Sequence, residues 1–377
     1  MKVLQLRTDV DGLPSALRDM VAAEPQLVFA FASPATLADG RVVEILTKRL
    51  SGAVVVGNST AGEISRNGVS DNGVVVTSVH FQRSNVQAYG ERVCNNDDSY
   101  AAGTRLARWF HPDGLCGVIV LAPGFDVNGS ALIRGLQEHL PVAVPVSGGL
   151  AADQGGYAQS YTVLDRQVDD RLAVAVGLYG GALTLRHASF GGWEPYGPAC
   201  KVTRCSGNKL LELDGEAALS VYERCLGDRA HELPRAGLLF PFEVLSAELG
   251  CTGVVRTLLG INRSQGSLTL AGEIEADGYL RLMHASTEKL VAGARRAAVT
   301  ARGDDGEASL ALLVSCVGRR LVMGARVDEE IDAVAGVLDG ATVLTGFYSN
   351  GEISPHLGSE SKLYNQTMTI TCLGERL

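Results

Sequence analysis

Runs of consecutive apolar residues recur along the chain, and three of them lead directly into a glycine-rich turn. These are residues 53–65 (AVVVGNSTAGEIS), 142–153 (VAVPVSGGLAAD) and 342–354 (TVLTGFYSNGEIS). Short apolar runs that end at such turns predict buried strands. Glycine adopts left-handed backbone angles and allows the backbone to approach a ligand closely. The three turns therefore predict strand ends gathered at one sheet edge, where α/β proteins bind ligands.

Each turn has the same lead-in, a buried strand followed by a helix with apolar residues at helical spacing. The predicted strand–helix pairs are 26–32 with 41–50, 116–122 with 129–140, and 309–317 with 327–338. Units of this size predict parallel strands joined by right-handed crossovers. A returning antiparallel strand is predicted after each turn, at 73–81, 172–179 and 366–372. The sequence thus predicts an α/β fold with mixed β-sheets, built from repeated strand–helix–strand units in two related halves.

The pattern changes near residue 180, where glycines, proline and aromatic residues interrupt a strand predicted over 183–197. We expect a helix over 214–226 that is capped by Asp214. A hairpin is predicted over 271–284 with its turn at Asp277 and Gly278, followed by a helix over 288–301. We place the domain boundary close to this change, which gives domains 1–190 and 191–377.

Composition narrows the classes of partner. The chain has 377 residues and a formal net charge of −9, without a lysine/arginine cluster, which argues against a nucleic-acid partner. No run approaches the roughly 18 apolar residues of a membrane span, and the N-terminus lacks a signal-peptide pattern. We therefore expect a cytoplasmic protein. The eight cysteines form no C-x-x-C pair, so a zinc site is not indicated.

At its turns the chain resembles the FIST family of bacterial signal-transduction modules, which pair an N-terminal with a C-terminal domain. The resemblance extends over nearly the whole chain. The blocks that carry it are 57–64 (GNSTAGEI), 147–153 (SGGLAAD), 187–193 (HASFGGW), 202–204 (VTR), 211–215 (LELDG), 346–353 (GFYSNGEI) and 365–368 (NQTM). It implies that 1–190 is the FIST N-terminal domain and 191–377 the FIST C-terminal domain.

The resemblance also implies a sensory function with a small-molecule ligand such as an amino acid. One branch of the family binds haem, senses nitric oxide and acts on a separate histidine kinase or a cyclic-di-GMP pathway. This chain differs from the common family pattern at two positions, with Asn58 in place of Cys and Tyr364 in place of His. A ligand held through a thiol or an imidazole at those positions would be held differently here.

The first and last turns supply the main candidate ligand-binding residues. They are Ser59, Thr60, Gly62 and Glu63 in the first turn and Asn350, Gly351 and Glu352 in the last. We expect the two turns to face each other across a cleft, where the two glutamates would select an ammonium group or act as an acid–base pair. The alternative is that each is a tight turn whose glutamate caps nearby backbone.

Three further residues are candidates for lining the same pocket. Arg204 has the side chain to hold a ligand carboxylate bidentately, although an internal ion pair would use it equally well. Tyr348 beside the last turn is a candidate lining residue, with packing as the alternative. Asn365 is polar at the entrance of an apolar strand, so a buried amide there needs the neighbouring turn or a ligand as its partner.

A haem ligand requires a neutral imidazole in an apolar pocket. His187, which is followed by Phe190 and Trp193, is the first candidate for the iron, and His284 is the second. A structural role is the alternative for each histidine. Without a C-x-x-C-H motif the cofactor would be non-covalent haem b.

Signatures of catalysis are weak, because the chain lacks a G-x-S-x-G elbow, a phosphate-binding loop and an H-E-x-x-H motif. We therefore expect a sensor and no enzyme, in its most concrete form a haem-binding nitric oxide sensor with a separate histidine kinase as partner. The alternatives are an amino-acid or metabolite sensor without haem and a hydrolase-like enzyme that uses the same cleft. Self-association as a homodimer is compatible with each of these.

Overall fold

The structure is a computed structural model that describes residues 1–140, 144–153, 159–274, 276–303, 308–355 and 360–376. A first unit contains β1 (Lys2–Thr8), α1 (Leu13–Ala16), α2 (Arg18–Ala22), β2 (Leu27–Ala32), α3 (Pro34–Ala38), α4 (Arg41–Arg49), β3 (Val54–Ser59), β4 (Glu63–Ser65), β5 (Gly68–Ser70) and β6 (Val74–His80). A second unit contains β7 (Asn85–Arg92), α5 (Ser99–Ala107), β8 (Leu115–Ala122), α6 (Gly129–Gln137), β9 (Val146–Leu150), β10 (Thr162–Leu164), β11 (Gln167–Asp169) and β12 (Leu172–Tyr179).

A third unit starts with β13 (Leu183–Phe190) and is interrupted by a long insertion. The insertion contains β14 (Glu194–Ser206), β15 (Lys209–Leu213), β16 (Glu216–Ala217), α7 (Ala218–Leu226), β17 (Phe242–Leu245), β18 (Cys251–Arg256), β19 (Leu258–Asn262), β20 (Ser267–Leu270) and β21 (Tyr279–His284). The unit then resumes with α8 (Thr287–Arg302), β22 (Leu310–Cys316), α9 (Val317–Met323), α10 (Asp328–Ala335), β23 (Val343–Ser349), β24 (Gly351–Pro355), β25 (Ser361–Tyr364) and β26 (Met368–Glu375). Short 3₁₀ turns lie at Asn96–Asp98, Gly227–Glu232, Arg235–Leu238 and Gly324–Arg326.

The three units share one plan. In each, two parallel strands (β2 and β3, β8 and β9, β22 and β23) are followed by an antiparallel return strand (β6, β12, β26). A further antiparallel strand (β1, β7, β13) pairs with the return strand at the edge. The repeated strand–helix–strand unit and the mixed α/β sheets predicted from the sequence are confirmed.

Each unit also donates a hairpin to the sheet of another unit. Strands β4 and β5 of the first unit join β23 of the third, β10 and β11 of the second join β3 of the first, and β24 and β25 of the third join β9 of the second. Every sheet thereby gains two strands and becomes six-stranded. The exchange is cyclic, because each unit gives a hairpin to one of the other sheets and receives a hairpin from the remaining unit; we call this arrangement the ring of sheets.

The inner faces of the three sheets meet in one apolar core. It includes Phe31 from the first sheet, Ile119 and Val174 from the second, and Leu312 and Phe347 from the third. The rings of Phe31 and Phe347 are 5.0 Å apart between centroids, within the range of favourable aromatic pairs. Because the central strands β2, β8 and β22 are covered on one face by this core and on the other by helices, they are continuous apolar runs.

One glycine in each of the three turns allows the parallel strands to approach closely. A β-carbon at Gly57, Gly148 or Gly346 would overlap the carbonyl oxygen of the neighbouring parallel strand, at Ala30, Val120 or Leu313 respectively. The repeated glycine in the sequence therefore has the same packing reason in all three units.

The insertion folds as a separate eight-stranded antiparallel sheet, with the path β18-β17-β21-β14-β15-β20-β19 and β16 beside β15. Helix α7 packs on this sheet, and Tyr364 of β25 contributes to its core. Two local predictions in this region are wrong. Helix α7 begins at Ala218, because Asp214 has a left-handed φ of 52° and its carboxylate instead accepts a hydrogen bond from the Lys201 backbone at 2.8 Å.

The predicted hairpin over 271–284 is the second error. Among the described residues only Tyr279–His284 forms a strand there, and it pairs with β14 and β17 rather than with the preceding segment. The broken strand over 183–197 is two strands, β13 and β14, which belong to different sheets. Among the described helices, none combines the length and apolar character needed to cross a bilayer.

Candidate functional site

The three glycine-rich turns come together at one end of the ring of sheets. The Ala61 backbone donates to Tyr348 O (3.0 Å) and the Tyr348 backbone donates to Gly62 O (2.9 Å). The middle turn joins them, since the Ala152 backbone donates to Ser59 O at 2.9 Å. The first and last turns are therefore adjacent, as expected. A cleft between the first and last turns stays a prediction, and the middle turn contacts the first turn directly.

Glu63 begins β4 and is completely buried. Its Oε1 accepts a hydrogen bond from the Thr60 hydroxyl at 2.9 Å, and its Oε2 accepts one from the Ser70 hydroxyl at 2.9 Å. Burial raises the pKa of this carboxyl to about 7, against the lowering effect of the two hydroxyl donors. The side chain thus ties the turn to the exchanged strand β5.

Glu352 occupies the corresponding position in the last turn. Its Oε1 accepts from the Ser349 hydroxyl at 2.7 Å, and its Oε2 accepts from the backbone and hydroxyl of Thr367 at 3.1 and 3.0 Å. The side chain is completely buried, and burial raises its pKa to about 7. The two glutamates have separate sets of hydroxyl partners and belong to different sheets. Glu352 accepts a backbone hydrogen bond, as in the alternative stated for the two glutamates, whereas the partners of Glu63 are side-chain hydroxyls.

Beneath the last turn lies a buried ion pair that sequence reasoning missed. Arg319 on α9 and Glu330 on α10 are both 0% exposed, and two guanidinium nitrogens contact Glu330 Oε2 at 2.7 and 3.1 Å. Glu330 Oε1 accepts from the Ser315 hydroxyl at 2.9 Å and from the Tyr348 hydroxyl. Tyr348 is buried, which raises its pKa well above the ordinary value. Its hydroxyl therefore anchors the turn to the helices.

A second arginine contacts the first turn from outside. Arg320 forms an ion pair with Asp71 at 2.6 Å and donates to the Ala61 carbonyl. A β-carbon at Gly62 would come within 2.6 Å of this guanidinium, which explains why glycine occupies that position. Gly62 has a left-handed φ of 137°, so a larger residue would also be strained.

The remaining polar residues of the turns are engaged to different degrees. The Ser59 hydroxyl donates to Ala152 O at 2.8 Å and accepts from the Tyr161 backbone at 2.9 Å. Asn350 is partly exposed, and its amide lies 3.5 Å from the Gly124 carbonyl. Asn365 is buried, and its Oδ1 has no hydrogen-bond partner among the described residues. Gly351 is buried against the side chains of Leu363 and Leu150.

Arg204 lies away from the turns, on strand β14 of the inserted sheet. It is exposed and forms an ion pair with Glu212 at 2.8 Å. Arg204 thus forms an internal ion pair, which was the alternative to holding a ligand carboxylate. The other named residues of the turns are brought together, and Arg204 is not among them.

His187 points from β13 toward the interior. Its Nδ1 lies 3.2 Å from the Thr371 hydroxyl, and its Nε2 is buried without a hydrogen-bond partner among the described residues. Burial lowers the pKa of the ring to about 4, so the imidazole is neutral. A neutral imidazole with an open lone pair suits iron, but His187 lines none of the three grooves described below.

His284, at the end of β21, lies on an open groove of about 670 Å³. The ring of Tyr196 lies 5.6 Å from both His284 and Phe240 between centroids, and the Arg229 guanidinium lies 5.5 Å from the centre of Phe240. The other lining residues are Leu226, Asp228, Leu239, Ala285, Leu321 and Val322. A neighbouring groove of about 490 Å³ shares Leu239 and Leu321.

This donor set suits haem. An imidazole, aromatic and aliphatic walls, and a cation for a carboxylate are the groups that a non-covalent haem uses. Among the described residues, no three His, Cys, Asp or Glu side chains cluster to hold a bare metal ion. His284 lies on such a groove, whereas His187 lines none of the three grooves, so we take His284 as the first candidate for the iron.

A third groove, of about 590 Å³, lies between α6 and the inserted sheet. Its apolar lining includes Ile133, Val254 and Leu363, and Arg256 is 8% exposed in it. The Arg256 guanidinium donates to Leu363 O (3.0 Å) and Glu273 O (3.2 Å). The remaining charged lining residues are Arg134, Glu138, Glu273, Glu360 and Lys362. The groove offers both signs of charge beside apolar walls.

Comparison with known protein families decides the identity. The FIST N domain matches residues 26–216, and the FIST C domain matches residues 218–355. The chain belongs to the FIST family. FIST domains are sensory domains of signal transduction, so a sensory role and a small-molecule ligand follow for this FIST protein.

Other comparisons add little about activity. No curated protein matched the chain. Among solved structures, cyanuric acid hydrolase from A. caulinodans is similar over 100% of this chain and 99% of its own, with 10% identity and a TM-score of 0.39. A second cyanuric acid hydrolase structure covers 99% of both chains with 9% identity and a TM-score of 0.37. At these scores neither likeness indicates a shared activity.

Proposed function

We propose that this FIST protein is a cytoplasmic sensor that binds haem b in the groove beside His284, detects nitric oxide and regulates a separate histidine kinase or cyclic-di-GMP pathway. The observation that supports the haem site is the combination of His284 with the neighbouring rings of Tyr196 and Phe240 in one groove of about 670 Å³. The family membership supports the sensory role.

Each residue of the groove has a definite task in this proposal. His284 would supply the imidazole ligand, and it is exposed on the groove, so its nitrogen is accessible. Tyr196 and Phe240 would contact the flat face of the cofactor, and Arg229 would pair with one of its carboxylates. When bound, haem supplies the iron to which nitric oxide binds. Leu321 and Val322 on α9 border the groove, and Arg320 of the same helix donates to the Ala61 carbonyl of the first turn. Arg319 of this helix pairs with Glu330, which accepts from the Tyr348 hydroxyl of the last turn.

This connection gives a path from ligand to partner. A ligand that displaces Leu321 would move α9, to which the turns are tied through Arg320 and the Ala61 carbonyl. A coupling of this kind requires that the ligand bind one arrangement of α9 better than another. We infer that the partner kinase distinguishes these two arrangements.

We propose that the turns hold the sheets together and do not catalyse a reaction. The Ser59 hydroxyl is held between Ala152 O and the Tyr161 backbone, and it is completely buried. Both glutamates are likewise occupied with hydroxyl donors. A Ser59→Ala variant that lost a measurable hydrolase activity of the wild-type protein would contradict this part of the proposal.

The haem proposal is tested by reconstituting the purified chain with haem and adding nitric oxide. We expect a Soret band that shifts on addition, that is retained in His187→Ala and that is lost or strongly altered in His284→Ala. Arg229→Ala should weaken haem binding, while Arg108→Ala, an exposed arginine far along the chain, should not. Wild-type protein that stays colourless, or a Soret band unaffected in His284→Ala, would refute this site.

A second candidate ligand is a small zwitterionic metabolite such as an amino acid, bound without haem. The observation in its favour is the groove between α6 and the inserted sheet, which offers the buried Arg256 and exposed carboxylates beside apolar walls. Bound ligand must raise the melting temperature. A thermal-shift screen of amino acids should then yield a stabilising ligand whose effect falls in Lys362→Ala. A screen without a stabilising compound would exclude this candidate.

A further inference from the structure

Helices α8 and α10 lie side by side on the surface of the third unit and run in the same direction. At their N-terminal ends Arg326 bridges them, with contacts of 2.7 Å to both Glu288 and Glu329. At their C-terminal ends Arg302 lies 3.5 Å from the Val337 carbonyl. Residues near the middle of α8 therefore lie level with residues near the middle of α10.

The two helices carry exposed charges of opposite sign. Helix α8 exposes Arg295, Arg296 and Arg302, with Val299 between them at 54% exposure. Helix α10 exposes Asp332, and Asp339 follows it at the same end as Arg302. Neither Arg295 nor Asp332 forms an ion pair with a described residue, and the guanidinium of Arg296 lies over the ring of Phe190 at 4.5 Å. The surface thus has a basic row and an acidic row, side by side.

We propose that this surface is the interface of a homodimer with twofold symmetry. A twofold axis that runs parallel to the helices, between two copies, places α8 of each copy on α10 of the other without a shift along the helix direction. Arg295 of each copy then lies at the level of Asp332 of the partner subunit, and the contact occurs twice, as in any isologous interface. Val299 lies on α8 between Arg295 and Arg302, so its exposed side chain is part of the same contact.

A second copy fits this surface better than an unrelated acidic protein. The chain has a net charge of −9, so a basic row alone would attract many acidic partners. The acidic row beside the basic row would repel most acidic partners. A second copy instead presents its acidic row to the basic row and its basic row to the acidic row. The net repulsion between two copies is screened beyond about 8 Å at physiological ionic strength, while direct contacts between the rows are screened much less.

The dimer is independent of haem, so it goes beyond the proposed function and is tested on protein without added cofactor. Sedimentation velocity of the full chain should show a dimer. Because the twofold repeats each contact, Arg295→Asp or Asp332→Arg should raise the dimer dissociation constant about tenfold or more. The double variant Arg295→Asp/Asp332→Arg restores opposite charges across the interface and should recover most of the loss.

Arg108→Asp provides the matched control, since it reverses an exposed arginine outside the surface and should leave the dimer intact. Circular dichroism of each variant separates loss of association from loss of folding. A wild-type chain that is monomeric at all concentrations overturns the proposal. A dimer that is unaffected by either single charge reversal, or single variants that the double variant does not rescue, overturns it as well.

Discussion

The two buried glutamates predict how the stability of the protein depends on pH. Glu63 and Glu352 are completely buried, and burial raises the pKa of each from 4.5 to about 7. Between these pH values the folded chain binds more protons than the unfolded chain, so the free energy of unfolding falls as the pH rises. Their contribution is fully present below pH 4.5 and is lost as the pH rises through about 7.

The size of the effect follows from the difference between the two pKa values. At 1.36 kcal/mol for each pH unit, the rise from 4.5 to about 7 corresponds to about 3 kcal/mol for each glutamate. Hydroxyl donors already oppose the effect of burial at both sites, and this opposition is included in the value of about 7. The loss is a substantial fraction of the roughly 5–15 kcal/mol that is typical for the stability of a whole domain.

The assay is urea unfolding, followed by circular dichroism, at a series of pH values from 5 to 8. We expect Glu63→Gln and Glu352→Gln each to flatten the fall in stability over this range, because glutamine retains the shape and does not ionise. Glu44→Gln on the exposed face of α4 should leave the slope unchanged. The reasoning would be refuted by wild-type stability that rises with pH in this range, or by slopes that neither substitution changes.

Three further predictions concern the packing that holds the turns. Arg319→Met should lower the free energy of unfolding by about 3–5 kcal/mol in chemical denaturation, because it leaves Glu330 buried without its cation. The double variant Arg319→Met/Glu330→Leu should recover part of this loss. A loss below about 1 kcal/mol in Arg319→Met would contradict the role of the pair. Gly346→Ala should destabilise or prevent folding because its β-carbon would overlap Leu313 O, whereas Gly340→Ala, with open space around it, should have little effect on the melting temperature. Arg204→Ala should leave haem binding unchanged in an absorption titration. It should change the free energy of unfolding by less than about 1 kcal/mol, because its ion pair is exposed. Weakened haem binding would show that Arg204 contributes to the site.

The parts of the fold that follow from local pattern could be predicted. Strand Leu172–Tyr179 and helices such as Arg41–Arg49 have periodic apolar positions, and the repeated Gly-Glu-Ile-Ser blocks indicate corresponding turns. The direction of the return strands followed from the order of elements. The sequence pattern associated the repeated glycines with a nearby ligand, whereas the structure shows that Gly57, Gly148 and Gly346 allow close approach of the neighbouring parallel strand.

The cyclic exchange of hairpins could not be predicted, because it depends on which sheet edge a short hairpin such as Glu63–Ser65 joins. Strands of three residues contain too little pattern to specify a partner. The Arg319–Glu330 pair could not be predicted either, because charged residues on a helix normally face solvent. A buried partner 11 positions away on a different helix leaves no periodic signal.

The position of the candidate haem site also depended on tertiary structure. His187 has aromatic residues nearby in sequence, yet Phe190 faces the outer side of its sheet while His187 faces inward. His284 meets its aromatic neighbours only through the pairing of β21 with β14, where Glu194 lies opposite His284. The second aromatic ring, Phe240, comes from a segment more than 40 residues away from both Tyr196 and His284 in the sequence.

The most direct test of the account is an absorption titration of the purified protein with haem, performed on the wild type, His284→Ala and His187→Ala. We predict a Soret band that saturates at one haem per chain in the wild type and in His187→Ala, and that is absent or strongly altered in His284→Ala. Saturation of all three proteins with the same spectrum, or no specific band in the wild type, would contradict the proposed haem site.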